Sequence, residues 1–253
     1  MAPLSEEPSA EERADTAKLK AILIVCAALA FAVAPFMSDP FTGWEADAFP
    51  HPTPPLPLQP AGYAFAIWGV IYAWLVVHGF YGLIKRDTHP DWDAGRWPLF
   101  ISLALGTGWL GVALTSPVMA TIFIFAMLAG ALLAMLRVPV DQDIWLARMP
   151  LGLYAGWLTA ASFVAGSTVL AGWTGLPPLV ASFLGLAGVA ALGGAVASRK
   201  PPLSYHAALT WALVGVAVAS AGMDTSNVVF TGAVLAAAIA VAFLGVRQAM
   251  ADR

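Results

Sequence analysis

The stretch GYAFAIWGVIYAWLVVHGFYGLI at residues 62–84 holds no Asp, Glu, Lys or Arg, and Lys85 and Arg86 follow it at once. A run of about 20 apolar residues is the length at which a helix crosses the hydrocarbon layer of a bilayer. The rest of the chain is of the same kind: 60% of its 253 residues are apolar, 11% are charged, and the mean hydropathy is +0.78. A soluble domain carries roughly 25% charged residues, so a soluble enzyme is excluded, as are disordered and collagen-like chains. The net charge of -3 leaves no basic surplus to hold phosphates, so nucleic acid is not an expected partner. Cys26 stands alone, which rules out an internal disulfide, a multi-cysteine zinc site and an iron–sulfur cluster.

Working outward from residues 62–84, seven further apolar runs appear, at 21–37, 97–115, 118–136, 149–171, 178–198, 203–222 and 228–246. The expected fold is therefore an all-α integral membrane protein of eight transmembrane helices. The first run follows an acidic tail, residues 1–20, rather than the short basic segment of a secretory signal, and so reads as a retained helix. Ser9 and Glu12 stand at capping-box spacing, which predicts a short solvated helix in that tail.

Lysine and arginine sort to one side of the bundle. Arg13, Lys18 and Lys20 precede the first run; Lys85, Arg86 and Arg96 follow the second; Arg137 and Arg148 follow the fourth; Arg199 and Lys200 the sixth; Arg247 and Arg253 the eighth. The opposite loops, 38–61, 116–117, 172–177 and 223–227, contain none. Basic residues collect in the cytoplasm, which predicts both termini inside and a plasma (inner) membrane location.

Loop 38–61 has seven prolines together with Phe41, Trp44 and Phe49. Such a stiff loop suits either a lid over a cavity or a connector whose aromatic rings rest in the headgroup layer.

Chemistry is scarce inside the spans. All acids lie outside them, so no carboxylate pair is offered for acid and base catalysis and no embedded acid for a proton relay. No catalytic residue and no metal site is predicted. His78 is the one ionisable group deep in a span, on a face shared with Trp74 and Tyr81, and reads as either a haem contact or a neutral histidine bonded to a neighbouring helix. His51, His89 and His206 fall in loops or at a span end, so a second haem ligand is not offered. The string GTGWLG at Gly106, Gly108 and Gly111 mimics a dinucleotide fingerprint but lies within an apolar run, where close helix packing explains it better, as it does Gly152 and Gly156. No lysine lies at mid-span, so a retinal Schiff base has no candidate.

Of ten tryptophans, Trp68, Trp74, Trp109, Trp157 and Trp211 lie within spans, where an indole N–H needs a partner. Phe65, Trp68 and Tyr72 form one helical stripe next to the proline-rich loop. Helix packing and a pocket for a flat apolar ligand are both served by such a stripe.

The segment PAGYAFAIWGVIY at Pro60–Tyr72 resembles the second helix of the TspO/MBR family, the tryptophan-rich sensory proteins related to the mitochondrial translocator protein. The matching positions are Pro60, Tyr63, Phe65, Trp68 and Tyr72, joined by Trp109 in the third span and by Tyr154 and Trp157 in the fifth. The chain departs from that pattern at Gly106 and Ala165, which stand where the family places Asn, and at Tyr63 in place of Trp. The resemblance covers about residues 20–172, implying a five-helix core over 21–172 with three additional helices over 173–253. It further implies binding of a planar hydrophobic ligand such as a porphyrin, haem or a sterol-like lipid, by Tyr63, Phe65, Trp68, Tyr72, Trp109, Tyr154 and Trp157. Expected partners are the bilayer, that small molecule and, as an assembly, a homodimer. The predicted function is a receptor or carrier with a regulatory or transport role; a secondary transporter of a small amphipathic solute is the alternative, though no inverted repeat is visible. An enzyme acting on lipid or tetrapyrrole has the least support.

Overall fold

The computed structural model describes residues 9–139, 143–223 and 227–251. All of its secondary structure is helical: α1 (Ala10–Val33), α2 (Ile67–Lys85), α3 (Arg96–Ala113), α4 (Pro117–Arg137), α5 (Ile144–Thr174), α6 (Pro178–Ala197), α7 (Leu203–Ala221) and α8 (Val228–Ala251), with single turns at Ala34–Phe36, Ala46–Ala48, Gly62–Ala66 and Pro90–Asp93. Each of the eight apolar runs becomes one helix. Seven are long and apolar enough to cross a membrane; α3 is shorter at 18 residues and opens on Arg96, Trp97 and Pro98. The Ser9–Glu12 capping box forms as expected, but it starts α1 itself, so tail helix and first span are continuous.

The 31-residue α5 is the hub, packing on α2, α4, α6 and α7. Glycines set its distance from α7. A Cβ on Gly152 would strike Pro202 and Ser204, and one on Gly156 the Tyr205 carbonyl, so this GxxxG seam brings two backbones into contact. The packing explanation holds for Gly106 too. It fails for Gly108 and Gly111, where nothing lies within 4 Å of an added Cβ; these two face outward from the bundle.

Helix α5 starts earlier than its apolar run, because Arg148 ends the run without ending the helix, and Pro150 lies inside the helix. Proline has no N–H for the carbonyl four residues back, which here is Leu146. His78 of α2 meets that carbonyl with Nδ1 at 2.7 Å. A carbonyl only accepts, so Nδ1 carries the proton. Trp74 donates to the Trp145 carbonyl at 2.9 Å and Tyr81 to the Asp143 carboxylate at 3.0 Å. The face read from the sequence as Trp74, His78 and Tyr81 is thus the seam by which α2 grips the start of α5, and His78 is bonded to the neighbouring helix.

The basic residues supply the clamps at this end. Arg96 is buried, and its guanidinium donates to the carbonyls of Ala17 at 2.8 Å and Arg86 at 2.7 Å, a cation closing the C-terminal turn of α2. Lys20 pairs with Asp93 and Arg86 with Asp143, both at 2.7 Å. The Arg86 hydrogen bond holds the Asp143 carboxyl below its ordinary range, so that pair's contribution is present at neutral pH and is lost as pH falls through the lowered pKa. Arg253 lies outside the described residues.

At the opposite end loop 38–61 is strapped across the helices. Trp44 donates to the Ala113 carbonyl of α3 at 2.9 Å, His51 N–H to Gly172 of α5 at 2.9 Å, and Ala61 N–H to Gly215 of α7 at 3.0 Å. The Leu58 N–H meets the Ser182 hydroxyl of α6 at 3.3 Å, with Leu56 and Leu58 both buried. Phe49 fills the notch over Gly172. The loop is a fixed cover rather than a surface connector.

The His78 bond can be measured. His78→Leu is expected to lower stability in detergent by about 1–3 kcal/mol, the usual cost of leaving a buried carbonyl unpaired; His78→Gln, which keeps a donor, should cost less. In a Pro150→Ala background the substituted residue regains a backbone N–H that can reach the Leu146 carbonyl. There the cost of His78→Leu should fall by more than half in a double-mutant cycle read by thermal unfolding.

Candidate functional site

The aromatic positions of α2 and α5 face each other next to the strapped loop. The rings of Trp68 and Tyr72 stack at 5.3 Å with 19° between planes, one turn apart on α2. Trp157 of α5 stands edge-on to Trp68 at 6.2 Å and to Phe65 at 5.6 Å. Tyr154, a turn earlier, lies 6.4 Å from Trp68. Its hydroxyl is 3.0 Å from that of Ser102, which donates at 2.7 Å to the Met127 carbonyl, so α3, α4 and α5 fix this ring together.

Five of the seven expected residues therefore form one cluster: Phe65, Trp68, Tyr72, Tyr154 and Trp157. The other two point elsewhere. Trp109 packs on Phe41 at 5.5 Å and donates to the Ala120 carbonyl at 2.9 Å, which makes it part of a ring group under the loop with Trp44, Phe49 and Trp173. Tyr63 lies on Trp211 at 5.7 Å, and Trp211 donates to the Ala64 carbonyl at 2.9 Å. Helical spacing already separates Tyr63 from Trp68. The direction of Trp109 is settled by a partner on α4 that sequence spacing does not show.

One member of the cluster is absent from the expected set. Phe31 of α1, 4% exposed, sits amid Tyr72 at 5.0 Å, Tyr154 at 5.7 Å and Trp68 at 5.8 Å. A Cβ on Gly106 would come within 2.5 Å of its ring. The glycine at an expected Asn position is thus explained by a large ring filling the space from another helix. That absent Asn is the one signal in the sequence that something bulky occupies the place.

Polar groups in the cluster are few. Trp44, Trp74, Trp109 and Trp211 each give their indole N–H to a backbone carbonyl. Trp157 does not: it is 2% exposed, and its Nε1 has no hydrogen-bond partner among the described residues. A buried donor left unpaired costs about 1–3 kcal/mol, which an acceptor on a bound molecule would recover. Among the described residues no three His, Cys, Asp or Glu side chains come together to hold a metal ion. His78 stacks on Trp92 at 4.9 Å with Nδ1 engaged, so it serves the α2–α5 seam. The arrangement suits a flat apolar molecule contacted through its faces, with one acceptor directed at Trp157.

The chain matches a family model described as TSPO-like protein over residues 17–246. The match runs past residue 172 and takes in all eight helices, further than the aromatic motifs alone reach. Neither the curated proteins nor the solved structures compared with the chain gave a match.

The Phe31–Gly106 contact has a measurable consequence. Gly106→Ala should destabilise the bundle by roughly 1–3 kcal/mol, the usual cost of overpacking. Adding Phe31→Leu should restore most of the loss, read by thermal unfolding in detergent; no coupling between the two changes would show that the ring and the glycine do not share this space.

Proposed function

The chain belongs to the TSPO-like protein family, and on that premise we propose that it is a membrane receptor or carrier that binds a planar hydrophobic ligand among α1, α2 and α5. The ligand class is a porphyrin, haem or a sterol-like lipid bearing at least one hydrogen-bond acceptor, and the role is regulation or transport. The observation that carries this reading is the buried Trp157 N–H, without a partner among the described residues and set amid Phe65, Trp68, Tyr72 and Tyr154. Stacked aromatic contacts add about 0.5–1.5 kcal/mol each beyond burial, and an acceptor on Trp157 adds direction. Both termini lie in the cytoplasm and the strapped loop outside the plasma membrane, supported by the segregation of every lysine and arginine.

Titration of the purified protein with protoporphyrin, followed by quenching of tryptophan fluorescence, tests the ligand class. Trp157→Phe removes the N–H and keeps a ring, and should weaken binding roughly two- to tenfold. Trp68→Ala should weaken it about tenfold or more. Trp145→Phe is the control because that side chain is 66% exposed at the far end of α5. Equal losses in all three would dismiss the site. Trp211 is unsuitable as a control, since it supports the turn that carries Phe65.

Orientation is tested by reporter fusions. Fusions at Trp173 and at Asp224, which lies outside the described residues, should report an external location; cytoplasmic activity at either would reverse the topology.

A further inference from the structure

The geometry points to Phe31 as a built-in plug: its ring fills part of the space a flat ligand would take between the aromatic walls, and it must leave for that ligand to bind. This rests on the ligand-binding reading above and adds what controls the affinity of the site.

Three observations support it. First, the Phe31 ring lies between the aromatic walls: Tyr72 and Trp68 of α2 on one side and Tyr154 of α5 on the other, all within 5.0 to 5.8 Å. Its plane stands at 86° and 88° to those of Tyr72 and Trp68, so both contacts are edge-to-face. Second, the remaining side is Gly106, where a Cβ would come within 2.5 Å of the Phe31 ring. The plug and its socket are a matched pair: any side chain at position 106 is incompatible with the ring where it stands. Third, the backbone at Phe31 is weakened. Pro35 is four residues on and has no N–H for the Phe31 carbonyl. Helix α1 ends at Val33 in the single turn Ala34–Phe36, and Phe36 and Met37 beyond it are exposed. The ring is held by side-chain packing at a helix end that lacks one of its own hydrogen bonds, and that end is where it can swing out.

A plug and a wall residue differ in sign. Cutting back a wall ring removes ligand contacts and weakens binding. Cutting back a plug removes the cost of opening, because the affinity of a site that is open only part of the time is reduced by that fraction.

The test is a Soret-band titration of protoporphyrin into the full chain in detergent, with wild type, Phe31→Leu, Phe31→Ala and Phe31→Trp. The expected order of affinity is Ala above Leu above wild type above Trp, with Phe31→Ala roughly tenfold tighter than wild type, as for an open population near a tenth. Trp157→Phe placed on Phe31→Ala should weaken binding by the same factor as on wild type, which keeps the ligand in the same site. If Phe31→Ala does not fold, Phe31→Leu, close to the native volume, must still bind more tightly than wild type. Wild-type binding with equal or weaker affinity in the folded Leu and Ala variants overturns the plug and leaves the ligand-binding reading in place. No saturable change in wild type or in any variant overturns the ligand-binding reading and the plug with it. Binding that appears only once Phe31 is shortened supports both.

Discussion

A buried carbonyl has no water to bond, so one that loses its helical donor must find another within the protein. Leu146 is in that position because Pro150 lies four residues ahead in the longest helix. His78 supplies the donor, and with Trp74 and Tyr81 it fixes α2 to α5 along three successive turns. Much else follows from this seam. Helix α5 carries Tyr154 and Trp157 and, through Gly152 and Gly156, packs backbone to backbone with α7. Helix α2 carries Trp68 and Tyr72 near its other end, with Phe65 in the turn before it. Their rings meet because the two helices are joined where the proline left a carbonyl free, and the one histidine deep in a span is spent on structure.

The aromatic cluster follows from that frame. Stacking, edge contacts and the Ser102–Tyr154 hydroxyl pair hold the rings together, and outside the cluster Trp44, Trp74, Trp109 and Trp211 each give their N–H to a backbone carbonyl. Trp157 departs from the rule, at 2% exposure. Among the described residues its N–H has no acceptor, which is why the proposed ligand site is centred on it. Phe31 bears on the same point from the other direction, for a ring packed among the aromatic walls lends stability to the unliganded protein.

Much of this is legible in the order of the residues. Eight apolar runs become eight helices because apolar length in a bilayer leaves a chain no other regular choice. Positions three, four and seven apart on one helix fall on common faces, as with Trp74, His78 and Tyr81. What spacing along one helix does not encode is which neighbour a face meets. Trp109 turns to α4 and Phe41, and Tyr63 to Trp211, because those contacts are made between helices. Phe31 is inconspicuous for the same reason, being one phenylalanine in an apolar run until Gly106 is set opposite it. The apolar run places the start of α5 several residues late, because Arg148 interrupts the pattern without interrupting the helix.

The loop between the first two spans carries an implication for biogenesis. Its anchors lie far downstream: the Leu58 N–H meets Ser182, 124 residues on, and the Ala61 N–H meets Gly215 in the seventh helix. During synthesis the loop emerges early, yet its last docking points reach the membrane only after most of the chain has been inserted. Until α5 and α6 are in place Leu56 lacks Ala171 and Ala181, the residues that bury it, and the segment must wait as an open, proline-stiffened stretch that resists premature pairing. Closing this end is thus a late step of assembly, and a chain halted before α7 would lack the last of the loop's anchors, the one from Ala61 to Gly215.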